Sequence, residues 1–349
     1  MQREALIARL REERRMIEPG QEVTVGLFRP EDALGVCLAY LETYGDAFPI
    51  EHVYDPAEVI RRNATDDQHT IVARTPRGEV VGLAGLFRHA PNPEVYEVGQ
   101  LMVLRQYRAS RLGAAIIRLA IGVLPRELGV PVVFGEAVCN HPASQRLVSG
   151  QGLACTGLAV ECMPANAYEV EGGVVRNVSL LFMFSVHVSR PCAICVPAPY
   201  SEIIGELCDR FGLVRSSLAP RPLTGATEWT EFLLPEAGLS RLTVSRAGAD
   251  FGGVVAGAEG RAETVQAYLN LGDPGVAEAV ALLRGRGYFF GGLLPHWFGP
   301  DGLVMQRTGQ EPDWDAMRLD GEKAMTMRDF VRHDREGVAG PHGTGTGVR

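Results

Sequence analysis

The spacing of apolar residues predicts alternating helices and strands through the first half of the chain. Apolar side chains recur at helical spacing in residues 1–16, whereas short β-branched runs bounded by turn residues predict strands further on. The predicted strands lie at 23–28, 69–74, 79–87, 94–103, 131–138, 154–164 and 174–188. The predicted helices lie at 1–16, 29–44, 55–63 and 140–153, with one more that opens within 108–113. After the first helix, the order of elements is β-α-α-β-β-β-α-β-α-β.

One stretch, residues 95–118, joins a predicted strand to a predicted helix through a short basic turn. The turn contains Arg108, Arg111 and Gly113. The start of a helix offers unpaired N–H groups and the positive end of the helix dipole, so it binds phosphate readily. The arginines add positive charge, and glycine lets a ligand approach the backbone closely.

This turn resembles the pyrophosphate loop of the GNAT superfamily of acetyl-CoA-dependent N-acyltransferases. The loop of that family reads (Gln/Arg)-x-x-Gly-x-(Gly/Ala), usually after an aromatic residue. Tyr107, Arg108 and Gly113 match this pattern, whereas Arg111 stands where the first glycine usually is. Residues 131–153 resemble the next strand and the short helix of the same family. The resemblance covers about residues 22–188, which is roughly one domain.

The resemblance implies the GNAT fold, which is a mixed α/β (α+β) fold. In this fold a central, mostly antiparallel sheet is flanked by helices, and its fourth and fifth strands splay apart to leave a slot for acetyl-CoA. The alternative is a central strand whose backbone hydrogen bonds are all paired. The implied cofactor-binding residues are Leu101, Met102, Val103, Arg108, Ala109, Ser110, Arg111, Leu112, Gly113, Asn140 and His141.

Acyl transfer from a thioester to an amine needs a base for the ammonium proton and a proton donor for the leaving thiolate. Glu97 and Glu136 are the candidate bases, because an apolar slot raises the pKa of a carboxylate towards neutrality. For each of them the alternative is a glutamate at the surface or the rim. Many GNAT enzymes use a tyrosine as the acid, but Val148 holds that place in this chain. His141 or Cys139 is the candidate substitute.

The second half of the chain repeats part of the pattern of the first. The predicted elements of residues 265–307, which include a strand at 285–290, follow the strand–helix–strand order of residues 131–188. We therefore expect a GNAT domain at 1–188, a smaller, degenerate GNAT-like domain at 189–335 and a disordered Gly-rich tail at 336–349. The second domain is expected to lack a phosphate-binding turn, because the glycines at 252–253 and 257–260 are predicted to lie in turns.

Composition limits the class of protein and its partners. The 349 residues carry a net charge of −8, which argues against general nucleic-acid binding. No apolar run reaches about 18 residues, so no membrane span is predicted. The seven cysteines are an odd number and no signal peptide is recognisable, which predicts a reducing cytoplasm. Cys192 and Cys195 have no second pair at zinc-site spacing, so no metal is expected.

The resemblance implies an N-acyltransferase that transfers an acetyl group from acetyl-CoA to a primary amine of a small molecule or peptide. The alternative is a catalytically silent GNAT-like protein that binds acyl-CoA and serves in regulation or interaction. A Rossmann-type nucleotide binder is disfavoured, because no G-x-G-x-x-G follows a strand with an acidic residue about twenty positions on. A homodimer is compatible with either function.

Overall fold

The computed structural model describes residues 2–14, 16–46, 48, 50–108, 111–164 and 177–338. By its internal contacts, the chain divides into two units. The first unit contains residues 1–89 and 93–135, and the second contains residues 90–92 and 136–349. These units are defined by contacts, whereas the boundary at 188/189 was inferred from the order of predicted elements, and that boundary stays a prediction.

The first unit combines five strands with five helices among its described residues. The strands are β1 Thr24–Leu27, β2 Gln68–Arg74, β3 Val80–Phe87, β4 Val95–Val103 and β5 Val132–Val138, of which the last three residues belong to the second unit. The helices are α1 Gln2–Glu13, α2 Ala33–Tyr44, α3 Pro56–Asn63, α4 Leu112–Ile117 and α5 Leu124–Glu127, with a π-helical turn at Arg118–Val123 between the last two. Strands β1 to β4 pair antiparallel in sequence order, and β4 pairs in parallel with β5.

Local signals in the sequence determine several of these elements. Asp55 caps α3 by accepting a hydrogen bond from the Ala57 N–H at 2.9 Å, and Pro56 occupies the first helical position. Every residue of β3 is buried, because α2 and α4 pack against this strand. The hairpin between β2 and β3 is closed by a hydrogen bond from the Thr75 N–H to the Glu79 carbonyl.

Strand β4 contains a bulge in its second half. Leu83 pairs with Met102 and Gly85 pairs with Gly99, so that the single residue Ala84 faces two residues of β4. One of these two, Gln100, has a φ of +57°, which is uncommon for a residue with a side chain. A bulge bends its strand and removes backbone groups from the regular ladder.

The parallel pairing of β4 with β5 is short. It joins Val95–Glu97 to Val132–Phe134, although β4 runs on to Val103. Within the described part of the first unit, the backbone of Val98–Val103 therefore has no β5 partner.

The second unit contains most of the strands. After the end of β5, its strands are β6 Ala154–Met163, β7 Val178–Val186, β8 Cys192–Ile194, β9 Arg215–Ser217, β10 Glu228–Leu234, β11 Leu239–Arg246, β12 Thr264–Asn270, β13 Phe289–Leu294 and β14 Gly302–Arg307. Its helices are α6 Ala143–Ser149, α7 Ser201–Phe211, α8 Phe251–Glu259, α9 Val276–Gly285 and α10 Glu322–Val338. The order in the main sheet is β7-β6-β13-β14-β12-β11-β10, while β8 and β9 form a separate pair.

In the second unit, β6 meets β13 at a pair of glycines, Gly157 and Gly292. A Cβ on Gly157 would lie 2.3 Å from the carbonyl oxygen of Gly291, so this approach of two backbones requires glycine. In each unit the sheet is mostly antiparallel and is flanked by helices, which confirms the predicted fold class.

Three expectations for the second half are corrected. The glycines predicted to lie in turns belong to α8 or follow it, because the buried Phe251, Val255 and Ala258 recur at helical spacing. The strand predicted at 285–290 begins only at Phe289, since α9 continues to Gly285 and Gly287 turns the chain with a φ of +84°. Helix α10 extends to Val338, beyond the predicted start of the tail.

The order of elements in the second half is β10-β11-α8-β12-α9-β13-β14. Strands β11 and β12 are parallel, as β4 and β5 are, and β14 pairs antiparallel with both β12 and β13. This order agrees with a second GNAT-like domain, and that assignment stays a prediction. Among the described residues, no helix combines the length and apolar character that crossing a bilayer requires.

Candidate functional site

The bulged strand β4 supplies the first part of the candidate site. Met102 is buried, and Leu101 and Val103 are half-buried. The bulge residue Gln100 accepts a hydrogen bond from the hydroxyl of Tyr40 on α2. The three predicted cofactor-contacting residues therefore lie on the segment of β4 that follows the bulge and lacks a β5 partner in this unit.

The basic turn after β4 is anchored by its aromatic residue. Tyr107 is 5% exposed, and its hydroxyl donates to the carbonyl oxygen of Glu18 at 2.7 Å. Arg108 donates from Nε to the carbonyl oxygen of Val103 at 3.1 Å, so part of its guanidinium holds the end of β4. Arg111 is exposed and lies immediately before α4. The predicted contacts of Ala109 and Ser110 fall outside the described residues.

Two further predicted residues, Leu112 and Gly113, begin helix α4. Leu112 is buried. A Cβ added to Gly113 would meet only the Val103 Cγ2 atom, at an ordinary contact distance of 3.8 Å. The protein's own described atoms therefore do not require glycine at position 113. A ligand that approaches this backbone closely would explain it.

Glu97 lies at the last position of β4 that pairs with β5, and it forms a short contact with a histidine. Its Oε2 atom is 2.5 Å from Nδ1 of His89, and the Glu97 side chain is 25% exposed. The ring of His89 stacks on Phe87, with ring centroids 5.7 Å apart and an interplanar angle of 14°. The sequence analysis missed His89. The β3–β4 hairpin pairs Phe87 with Glu97, and His89 lies two residues after Phe87. Predicting the register of this hairpin would have placed His89 near Glu97.

A cavity of about 370 Å³ in the first unit lies beside the bulge. It is lined by residues from α3 and from the ends of β2, β3 and β4, and by the segment that precedes α3. The lining residues are Ile50, His52, Arg61, Arg62, Thr65, Asp67, Gln68, Phe87, Arg88, His89 and Gln100. We call it the arginine cavity. None of the three arginines was a predicted site residue.

The second unit contains the remaining predicted residues. Glu136 is paired with Arg241 of β11, with 3.8 Å between Oε1 and Nη2, and the Arg241 guanidinium lies 4.9 Å from the centroid of the Tyr268 ring. Both members of the ion pair are 22% exposed. Glu136 is thus already engaged by a cation, which makes it a weaker candidate for the base than Glu97.

Asn140 and His141 lie between β5 and α6, and both are half-buried. The Asn140 amide oxygen is buried and has no hydrogen-bond partner among the described residues, which fits a residue that binds a ligand. Val148 lies on α6 and offers no proton. Burial raises the pKa of the Cys139 thiol well above its usual value, so this thiol stays protonated near neutral pH.

Comparison with known proteins gives a family match for part of the chain. Residues 36–152 match the family model described as "Acetyltransferase (GNAT) family". This segment is a GNAT acetyltransferase domain. It runs from within α2 to beyond the end of α6 and includes the bulged strand β4 and the basic turn. A comparison with curated proteins gave no significant match.

Solved structures of GNAT acetyltransferases show low similarity to the chain. Ribosomal-protein-S5-alanine acetyltransferase from Vibrio fischeri is 9% identical, with a TM-score of 0.40 over 50% of this chain and 97% of that one. Spermidine N-acetyltransferase from Vibrio cholerae, in complex with CoA and spermine, is 15% identical, with a TM-score of 0.37 over 47% and 95%. A GNAT-family protein from Desulfovibrio desulfuricans is 17% identical, with a TM-score of 0.37 over 48% and 100%. Similarity at this level supports no inference about the substrate.

Proposed function

We propose that this protein is an acetyl-CoA-dependent N-acetyltransferase that acts on a primary amine of a small molecule or peptide. One observation carries the proposal. Within a GNAT acetyltransferase domain, β4 is bulged at Gln100, loses its β5 partner after Glu97 in the described part of its unit, and leads through a basic turn to a helix start. This arrangement offers unpaired backbone groups and positive charge to one elongated anionic ligand.

In this proposal, the segment Leu101–Val103 hydrogen-bonds the pantetheine amides, and the start of α4 binds the pyrophosphate. Arg111 adds positive charge beside the helix start, in the place where the family usually has glycine. Acetyl-CoA supplies an electrophilic thioester carbonyl. A backbone N–H that the bulge releases from the ladder polarises this carbonyl.

Glu97 takes a proton from the acceptor ammonium, which leaves a neutral amine for attack. The new C–N bond then forms at the carbonyl carbon and the C–S bond breaks. The second amine proton is lost, and the thiolate leaves and is protonated to the CoA thiol. His89 orients the Glu97 carboxylate through the 2.5 Å contact. His141 stays the predicted donor to the leaving thiolate, and no metal is needed for these steps.

The release of free thiol from acetyl-CoA, measured against a panel of amines and peptides, tests the proposal. We expect release that depends on the amine. If the chain binds acetyl-CoA but releases no thiol with any acceptor, the proposal is overturned, and the silent acyl-CoA-binding alternative takes its place. A cytoplasmic location is part of the same proposal and rests on the sequence alone.

A further inference from the structure

The arginine cavity beside the β4 bulge contains two buried hydrogen-bond donors without a partner. The Nε atoms of Arg62 and Arg88 are both buried, and neither has a hydrogen-bond partner among the described residues. A buried donor without a partner destabilises a protein, and more so when the group is charged. Two arginines of the cavity lining therefore have hydrogen-bonding capacity that the described residues do not fill.

The two arginines are held in place in different ways. Arg88 contacts Asp67, with 3.3 Å between Nη1 and Oδ1, and its guanidinium lies 5.0 Å from the centroid of the Tyr96 ring. Arg62 is half-buried on α3 and forms no ion pair with any described residue. Glu58 lies close enough to interact with the charge of Arg62, but its direct ion pair is with Arg61, so one carboxylate is shared between two arginines.

The other groups around the cavity do not cancel this charge. Burial, reinforced by Arg62, lowers the pKa of His52 to about 4, so this ring is neutral near pH 7. Arg61 is neutralised by its pair with Glu58, at 2.7 Å, and is largely exposed. Asp67 is 75% exposed and already contacts Arg88. The cavity therefore has a net positive character.

We propose that the arginine cavity binds an anionic group, a carboxylate or a phosphate, on the acceptor amine. This inference rests on the proposed function and defines its acceptor. The planar guanidinium of arginine suits both anions, because it donates two parallel hydrogen bonds to two oxygens. A polyamine would bring further cations towards Arg62 and Arg88, which disfavours it as the acceptor.

The cavity is placed to orient such an acceptor. His89, which contacts Glu97, and the bulge residue Gln100 both line it. An anionic group held by Arg62 and Arg88 leaves the amine end of the same molecule to reach Glu97. The acceptor is then a short molecule with an amine at one end and an anionic group at the other.

Matched small molecules test this inference. The first set consists of three four-carbon amines that differ only at the end opposite the amine: 4-aminobutyrate, butylamine and putrescine. A second pair, phosphoethanolamine and ethanolamine, separates phosphate from carboxylate. Binding of each to the CoA-bound protein is measured by calorimetry, and thiol release from acetyl-CoA is measured in parallel. We expect at least one amine that carries an anionic group to bind about tenfold or more tightly than its counterpart that lacks this group, with putrescine the weakest.

Arginine variants locate the effect. Arg62→Ala and Arg88→Ala should each raise the KM for the anionic acceptor about tenfold, with kcat much less changed and with acetyl-CoA affinity preserved. The control is Arg126→Ala, which removes an exposed arginine at α5. Preserved acetyl-CoA affinity also shows that the variants are folded.

The two proposals fail in different ways. The arginine cavity is overturned as an anion site if amines with and without an anionic group bind equally, if putrescine binds more tightly, or if no amine with an anionic group binds detectably. The anion site is also overturned if the control variant Arg126→Ala loses the preference for amines with an anionic group. None of these results affects thiol release with another acceptor. Conversely, a preference for anionic amines without thiol release supports the binding site and overturns the transfer reaction.

Discussion

Glu97 and His89 are eight positions apart in sequence, and the β3–β4 hairpin brings them together. The antiparallel pairing sets Phe87 opposite Glu97, and the His89 ring stacks on Phe87, so the Nδ1 atom comes within 2.5 Å of the carboxylate. Glu136 instead contacts Arg241, which stabilises its charge. The two glutamates that the sequence made equal candidates therefore have different environments.

Replacement of Glu97 tests its assignment as the base. Glu97→Gln keeps the size of the side chain and removes the proton acceptor, so we expect kcat/KM to fall on the order of 10²-fold. Acetyl-CoA affinity should stay unchanged, and the acidic limb of the pH–rate profile should be lost.

Glu136→Gln is the matched control in the same assay. It removes the pair with Arg241 and should leave the pH–rate profile in place. If Glu136→Gln abolishes the acidic limb and Glu97→Gln does not, the assignment of the base is reversed. If the single variants and the double variant all retain full activity, neither glutamate is the base, and His141 becomes the next candidate.

Gly113 offers a test of acetyl-CoA placement that does not disturb the fold. Gly113→Val should weaken acetyl-CoA binding at least about tenfold, or ~1.4 kcal/mol, because its side chain would occupy the space next to the helix start. The described protein atoms leave room for the first added carbon, so we expect the variant to fold normally. Calorimetry that gives the wild-type affinity in a folded Gly113→Val protein would disprove the placement.

Single residues of the site differ in how far the sequence could predict them. Gly113 and Arg111 have a local signal, since turn composition marks the start of a helix. Arg62 and Arg88 have none, because the cavity they line is formed by four separate stretches of the chain. A buried donor without a partner is visible only once the packing around it is known.

At the scale of elements, periodicity and capping predicted the first unit well. The start of α3 follows from Asp55 and Pro56, and the extent of β4 follows from its run of apolar residues. The error at α8 has a physical origin, because four of the ten residues at 251–260 are glycine and glycine disfavours helices. Burial of Phe251, Val255 and Ala258 stabilises the helix despite this composition.

A pair of glycine substitutions distinguishes helix from turn in this region. Gly253 is exposed in α8, and a Cβ added to it would have no atom within 4 Å, so Gly253→Ala should raise the free energy of unfolding by about 0.5–1 kcal/mol. Gly287 has a φ of +84°, so Gly287→Ala should lower it. The midpoints of denaturant unfolding measure both effects. A destabilised Gly253→Ala protein would contradict the helix.

At the scale of the whole molecule, the two halves of the chain have similar element orders but different helix starts. In the first, the turn from β4 to α4 carries Arg111 just before the helix. In the second, the turn from β11 to α8 carries Asp250 at the N-cap. A carboxylate beside a helix N-terminus interacts favourably with the dipole and takes the place that an external anion would occupy.

The turn before α8 is also closed by its own chain. The Asp250 carboxylate accepts hydrogen bonds from the N–H and the hydroxyl of Thr227, both at 2.7 Å, and these bonds hold its pKa below the usual range. A Cβ on Gly248 would lie 2.4 Å from the carbonyl carbon of Ala226, which shows how tightly the two loops pack. A pyrophosphate would meet a fixed negative charge at this turn.

We therefore expect one acetyl-CoA site per chain. Calorimetric titration of the full chain should give a stoichiometry of one, and Gly113→Val should weaken that single site without revealing another. The variant makes the measurement decisive, because two independent sites would leave one tight site intact after the substitution. A stoichiometry of two, or a tight site that survives Gly113→Val and disappears in a variant at the turn before α8, would show that Asp250 does not close the second turn. The single site follows from the charge at two helix starts, arginine at one and aspartate at the other.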